Sequence, residues 1–305
     1  MLSIIVPVYY EGAQVEKPFV TITKLMDDEK IDFELIFVDD GSGDDSFNYL
    51  CQLAERDSRV KVLKLLSNSG SHMAIRAGLE HSSGNMGVFL SCDLQEPAEL
   101  IPELLKKLKG KTDIVLAVRK SRDDSFFDRI MSRIFFEMMK KFVSSKIPES
   151  GSSMYLLGAR ALKALKEYPE RNLTLEGVFI LNNFVYETVL YDRKAREHGK
   201  SRWTISKKLK IFVDFFVAYS YAPIRFVTVI GILFFALGFL WSVYLVIRYF
   251  TVNDFVDGWP MLISILCLGF GITNISLGII AEYLWRTLDE GRRRPKYIIE
   301  KRINF

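Results

Sequence analysis

The chain has 305 residues and a formal net charge of +4, enough for one large domain or two smaller ones and too little charge to mark a nucleic-acid binder. Its 3 cysteines, Cys51, Cys92 and Cys267, are widely spaced, which argues against a disulfide framework or a zinc site and fits a reducing compartment. Apolar residues are spread unevenly: up to about Ile211 the composition is that of an ordinary folded domain, whereas Phe226 to Trp285 is dominated by two apolar blocks.

Taken in order, Leu2 to Val8 (LSIIVPV) is a β-branched run ending at the loop Tyr9-Tyr10-Glu11-Gly12. A helical pattern spans Val15 to Asp28, with Val15, Phe19, Ile22 and Leu25/Met26 on one face. Phe33 to Val38 is a second buried strand, followed by Asp39-Asp40-Gly41-Ser42-Gly43; Asp44 or Asp45 caps a helix carrying Phe47, Leu50 and Leu53/Ala54. Val60 to Leu66 predicts a third strand, Ser67-Asn68-Ser69-Gly70 a loop, and Met73 to Leu79 a helix. Met86 to Leu90 is a fourth strand, ending in Ser91-Cys92-Asp93-Leu94-Gln95-Glu96-Pro97 and a helix over Pro97 to Lys109. Asp113 to Val118 is a fifth, ending at Arg119.

Strands alternating with helices at this spacing predict a parallel-type sheet with helices on both faces, a Rossmann-like α/β domain. The polar, glycine-rich connections all follow strand C-termini, so Tyr9/Glu11, Asp39/Asp40, Asp93/Gln95 and Arg119 are expected along one sheet edge, where such folds bind ligands. A carboxylate and an amide two residues apart, Asp93 and Gln95, offer hard oxygen donors suited to Mg2+ or Mn2+ carrying a diphosphate. Beyond Arg119 the pattern gives a basic, aromatic helix over Asp123 to Val143 with Arg129 and Arg133, then Met154 to Leu157, a helix over Ala159 to Leu165 and a strand over Phe184 to Tyr191.

The segment Arg193 to Lys210 is strongly basic and runs into Ile211-Phe212-Val213 and Phe215-Phe216-Val217, a pattern for a helix lying at a membrane surface. Phe226 to Val246 and Pro260 to Ala281 are each roughly 21 residues, the length a bilayer core requires. Their connecting loop, Thr251 to Trp259, carries Asp254 and Asp257 and no Lys or Arg. The flanks carry Lys207, Lys208, Lys210 and Arg225 on one side and Arg286, Arg292, Arg293 and Arg294 on the other. The positive-inside rule places both ends in the cytoplasm. Trp241, Tyr244, Trp259, Tyr283 and Trp285 suit the interfaces, and Glu282 needs a partner such as Arg286. With no basic leader at Met1, the N-terminal domain is expected in the cytoplasm. The expected organisation is therefore residues 1–200 as a cytoplasmic domain, 201–225 as amphipathic interface helices, 226–285 as two transmembrane helices and 286–305 as a basic tail.

The ordered motifs PVYYEG, VDDGSGDDS, SNSGSHMAIRAGL, SCDLQEP, REHGKSRW and AEYLWRTLDEGRRRPKY resemble, over essentially the whole chain, a family 2 glycosyltransferase of the polyprenyl-phosphate glycosyltransferase group. That group includes dolichyl-phosphate mannose synthase and the bactoprenol glucosyltransferases. The resemblance implies a GT-A type domain and inverting transfer of a sugar from a nucleotide donor to a polyprenyl phosphate at the bilayer. It matches Pro7, Tyr9 and Glu11 to a nucleotide-binding loop, Val38 and Asp40 to positions holding base and ribose, and Cys92 and Asp93 to the donor site. Asp93 and Gln95 match the metal pair, Arg119 and Arg133 the arginines meeting phosphates, and Arg196 and Arg202 basic positions near the donor and acceptor phosphates.

The chemistry fits those roles. A departing nucleoside diphosphate builds negative charge that a divalent ion stabilises, and the attacking phosphate oxygen is already anionic, so no strong general base is needed. Alignment and charge screening by arginine remain for the protein to supply. The expected catalytic residues are thus Asp93, Arg119 and Arg133, with Arg119 and Arg133 meeting the acceptor phosphate. Asp39 reads as a turn cap ranking below Asp40 as a contact, Arg129 as a solvated residue, and His72, His81 and His198 as loop or surface residues. Two departures stand out: Ser91 where many relatives carry Asp, and Ser152-Ser153-Met154-Tyr155 where relatives often carry Gly-Asp-Phe-Arg. A UDP-hexose, glucose foremost, is the favoured donor and undecaprenyl phosphate the acceptor, with GDP-mannose as the alternative donor. A catalytically impaired membrane scaffold binding nucleotide-sugar or lipid is the alternative of another class. The resemblance also points to a homo-oligomer, a tetramer, and to no nucleic-acid partner.

Overall fold

The computed structural model describes residues 1–119, 137, 140, 152–168, 182–192, 222–252, 258–292 and 295–305. The chain divides into two compact units, Met1–Trp203 with Pro295–Phe305, and Thr204–Arg294.

The first unit is built on one sheet with strands β1 (Leu2–Val8), β2 (Phe33–Asp39), β3 (Val60–Leu65), β4 (Met86–Phe89), β5 (Ile114–Arg119), β6 (Ser152–Leu157), β7 (Tyr186–Tyr191) and β8 (Ile299–Ile303), in the order β7-β5-β6-β4-β1-β2-β3-β8. β1 pairs in parallel with β2 and β4, and β2 with β3, as the β-branched runs and their helical crossovers predict. The first helices are α1 (Glu16–Asp28), α2 (Ser46–Arg56), α3 (Ser71–Glu80), α4 (Leu100–Lys107) and α5 (Ala159–Glu167).

Period-two alternation divides each strand between two cores. Leu2, Ile4, Val6 and Val8 of β1 join Phe33, Leu35 and Phe37 of β2 in a cluster with Val15, Ile22, Met26, Leu50, Leu53, Leu100, Ile101 and Leu104 from the α1, α2 and α4 side. Ile5 and Val38 point the other way, onto α3. There a Cβ on Gly78 would collide with Ile5 and stand 3.1 Å from Val38 Cγ2, so only glycine lets α3 lie this close to the sheet.

Two strands depart from the expected parallel sheet. β6 runs antiparallel to both β4 and β5, inserting between them. The end of the chain, expected to be a basic tail, returns to the first unit: its last strand, β8, pairs antiparallel with β3. Neither direction is encoded in local periodicity, which is the same for parallel and antiparallel strands. A cluster around Glu80 fastens this return. Glu80 Oε1 accepts from Arg76 Nε and Lys296 Nζ, each at 2.9 Å, and Oε2 from the Tyr297 hydroxyl at 2.7 Å. Arg76, 1% exposed, and Lys296 also donate to the Tyr168 carbonyl at 2.6 and 2.7 Å. His81, expected to be a loop or surface residue, packs edge-on to Tyr297 and meets Arg302 through Nε2 at 3.2 Å.

The second unit contains α6 (Ala222–Val252) and α7 (Trp259–Gly291), of 31 and 33 residues. Two long helices therefore stand where two apolar blocks predict them. Among the described residues no helix is long and apolar enough to cross a membrane. The described residues therefore do not support the expected pair of transmembrane helices, and the side chain of Arg286, the expected partner of Glu282, lies outside them. The predicted interface helices up to residue 221 and the basic segment Arg193 to Lys210 lie outside the described residues, as does 123–143 apart from Glu137 and Lys140.

Candidate active site

Four neighbouring strands, β4, β1, β2 and β3, end side by side along one edge, and the loops leaving them are stitched together by side chains hydrogen-bonding to main chain. The Ser42 hydroxyl, after β2, accepts from Tyr10 N after β1 at 3.1 Å, and Ser46 Oγ accepts from Glu11 N and Gly12 N at 3.1 and 2.8 Å. Asp40 joins the next loop: its two carboxylate oxygens accept from Ser69 N at 2.7 Å and Gly70 N at 2.9 Å. Asp39 Oδ1 accepts from Ser42 N at 3.0 Å, so it caps its turn as expected. Burial pushes both carboxyls above the ordinary range, Asp39 despite its Ser42 bonds and Asp40 despite its two amide donors. The first-loop residues Tyr9 and Tyr10 are 37% and 53% exposed beside these buried carboxylates.

Along the same edge β4 delivers the SCDLQEP loop next to β1. Asp93 is exposed there, and its Oδ1 accepts from Gln95 N at 3.2 Å while Leu94 takes φ +50°. Gln95 is buried at 6% exposure, so of the expected metal pair Asp93 is the residue presented to solvent. Ser91 is not an idle replacement for an acid: its hydroxyl donates to Glu96 Oε2 at 2.6 Å, and the Tyr191 hydroxyl reaches Glu96 Oε1 at 3.4 Å. Glu96 braces the loop from beneath. Burial, with the carboxylates of Glu11 and Asp93 nearby, raises the Cys92 thiol far above its ordinary value and keeps it neutral.

The remaining expected residues divide by position. Pro7 is half-buried near the end of β1. Val38 has no exposed surface and packs toward Gly78, leaving only its main chain for any contact at the edge. Arg119 ends β5, which runs in the same direction as β4 with β6 between them, about 10 Å away at ordinary strand spacing. The pairing of Val118 with Ser152 brings the start of β6 to this edge, between the Asp93 loop and Arg119. Tyr155 is buried at 6% and packs on Phe89 with ring centroids 5.3 Å apart, a core role rather than a phosphate contact. Arg133, Arg196 and Arg202, the side chain of Ser153, Arg129 and His198 lie outside the described residues. Sequence reasoning missed Ser42, Ser46 and Glu96, whose only signal is a small or acidic residue inside a motif assigned to chemistry.

As a donor set for a divalent ion, the loop Ser91 to Pro97 offers one exposed carboxylate, Asp93. Among the described residues no three His, Cys, Asp or Glu side chains group as metal ligands. Asp93 therefore fits an ion completed by oxygens from outside the protein, such as a diphosphate and water.

The glycosyl transferase family 2 model matches residues 3–165, which take in β1 to β6 and every loop just described. The chain belongs to glycosyl transferase family 2. Among its relatives, the uncharacterized glycosyltransferase YkcC of Bacillus subtilis is 33% identical over 98% of this chain and 93% of its own length. An SfII prophage-derived bactoprenol glucosyl transferase of Shigella flexneri is 32% identical over 98% of this chain and 97% of its own. These relatives support the polyprenyl-phosphate glycosyltransferase group within family 2. The fold is likewise shared with glucosyl-3-phosphoglycerate synthase from Mycobacterium tuberculosis, solved with Mn2+, UDP and phosphoglyceric acid. That structure has a TM-score of 0.52 at 17% identity, covering 71% of this chain and 77% of the other. The first unit is thus a GT-A-like α/β glycosyltransferase fold.

Proposed function

We propose that this family 2 glycosyltransferase moves a hexose, glucose foremost, from a UDP-sugar to undecaprenyl or a similar polyprenyl phosphate at the cytoplasmic face of a membrane, with inversion. The carrying observation is the end-to-end likeness to a bactoprenol glucosyl transferase, which spans both α6 and α7 as well as the sheet. Tyr9, Glu11 and the Asp40-braced loops receive the nucleotide, Asp93 holds Mg2+ or Mn2+, and Arg119 with Arg133 aligns the acceptor phosphate. Gln95, Cys92, Arg196 and Arg202 complete the proposed donor site from their matched positions. A bound divalent ion supplies charge stabilisation on the leaving diphosphate. The arginines screen two polyanions from one another and fix the attacking oxygen in line with the anomeric carbon.

Two features support the membrane setting. Over their full sequences the apolar blocks inside α6 and α7 have bilayer length. In addition, β8 follows α7 in the chain yet pairs with β3 of the first unit, a return consistent with two crossings and not with one.

The test incubates purified full-length protein with undecaprenyl phosphate, Mg2+ or Mn2+, and a panel of radiolabelled UDP- and GDP-sugars. Label from a UDP-hexose is expected in the lipid fraction, and Asp93→Ala should lower that rate roughly 100-fold while the protein stays folded. A product only with GDP-mannose would replace the donor assignment. No lipid-linked product with any donor would overturn the enzymatic reading in favour of a binding scaffold.

A further inference from the structure

Tyr10 holds a backbone conformation that L-residues rarely take, φ +58°, immediately after β1. It is kept there by its N–H, which donates to Ser42 Oγ at 3.1 Å. The conformation places its ring 4.7 Å from that of Tyr9 at an interplanar angle of 86°. The ring also reaches the adjoining loop: a Cβ built on Gly43 would stand 2.8 Å from the Tyr10 hydroxyl oxygen, so a side chain there would displace the ring. A tyrosine in left-handed backbone that stays 53% exposed gains little from burial, so its strain lacks an obvious folding return. What it produces is a right-angled aromatic corner, open to solvent, beside the loops carrying Asp39 and Asp40.

We propose that Tyr10 is a further donor-binding residue, whose ring forms with Tyr9 an aromatic corner that receives and orients the flat heteroaromatic base of the nucleotide sugar. This rests on the nucleotide-sugar reading of the first loop and adds a residue to it. Planar bases suit such a corner because one ring offers a face and its neighbour an edge. Gly43 is the second half of the device, since its lack of a side chain leaves room for the Tyr10 hydroxyl.

UDP and GDP titrations by calorimetry and donor kinetics on the full-length protein test this with Tyr10→Phe, Tyr10→Gly, Gly43→Ala and the Tyr10→Gly/Gly43→Ala double variant. Tyr10→Gly is expected to weaken UDP binding and raise donor KM about fivefold, the size of one aromatic contact. Its kcat should stay within about twofold and its Tm should not fall, because glycine takes positive φ without strain. Tyr10→Phe should retain UDP affinity. Gly43→Ala should weaken UDP binding when Tyr10 is present and add nothing in the double variant, the coupling expected of one shared contact. Wild-type binding of UDP with unchanged affinity in Tyr10→Gly would overturn the role of Tyr10 and leave the donor reading intact. A parallel fall in Tm, kcat and affinity would make the residue structural and equally overturn it. A wild-type protein binding neither UDP nor GDP would overturn both.

Discussion

Asp39 and Asp40 are adjacent carboxylates with different employment. Asp40 spends both oxygens on the main chain of the loop after β3, at Ser69 and Gly70. Asp39 caps Ser42 with one oxygen, and among the described residues its buried Oδ2 has no hydrogen-bond partner. Asp40 thus fixes the shape of the loops proposed to receive the nucleotide. Asp40→Asn would keep one acceptor and turn an NH2 group toward the other amide. Donor would face donor, and a buried polar group would go unsatisfied at a cost of about 1–3 kcal/mol. The expected outcome is a lower Tm together with weaker UDP binding, measured by thermal unfolding and calorimetry on the same preparation. Unchanged Tm with lost binding would return Asp40 to a pure contact role. The DDGS motif made an acidic loop legible in the sequence. Which carboxylate oxygen met which amide was not, because the partners come from a loop about 30 positions away. The bond from Ser91 to Glu96 was not legible either, although its partner is only five residues along, because it depends on how the loop folds.

At the scale of elements, α3 joins the loop edge carrying Asp40 to the end of the chain. Its N-terminus begins at Gly70, beside Asp40, and its last residue is Glu80, which gathers Arg76, Lys296 and Tyr297. Burial alone would raise the Glu80 carboxyl above its ordinary 4.5, but hydrogen bonds from Tyr297, Arg76 and Lys296 together hold it lower. A carboxyl depressed on folding contributes stability that is complete above its unfolded value and is lost as pH falls through the folded one. Glu80→Gln should therefore lower Tm at pH 7, by the equivalent of about 1–3 kcal/mol for a charge-assisted cluster, and flatten the decline of Tm below pH 4.5. Parallel Tm-against-pH curves for variant and wild type would remove Glu80 from that role. The helices and the first five strands were legible because their apolar periodicities are local. The sequence IEKRI reads as a charged tail, and only pairing with β3 makes it an edge strand with its polar residues outward.

At the scale of the whole molecule, the chain order constrains topology more tightly than hydropathy does. The α6–α7 segment interrupts the first unit, whose residues lie on both sides of it, at 1–203 and 295–305. A sheet that takes β3 from before the helices and β8 from after them forms only if both flanks share one compartment. An odd number of crossings is thereby excluded, independently of where the lysines and arginines fall. In the membrane arrangement proposed above, the charge bias assigns that compartment to the cytoplasm, since the connecting loop carries Asp254 and Asp257 and the flanks are basic. Single cysteines make this measurable in intact cells with a membrane-impermeant maleimide. Asn253→Cys, in the connecting loop, should label from outside, whereas Phe305→Cys, just beyond β8, should label only after the membrane is opened. Labelling of both positions in intact cells, or of Phe305→Cys alone, would overturn the two-crossing arrangement with its cytoplasmic catalytic edge. Labelling of neither until permeabilisation would mean that the helix pair does not cross at all.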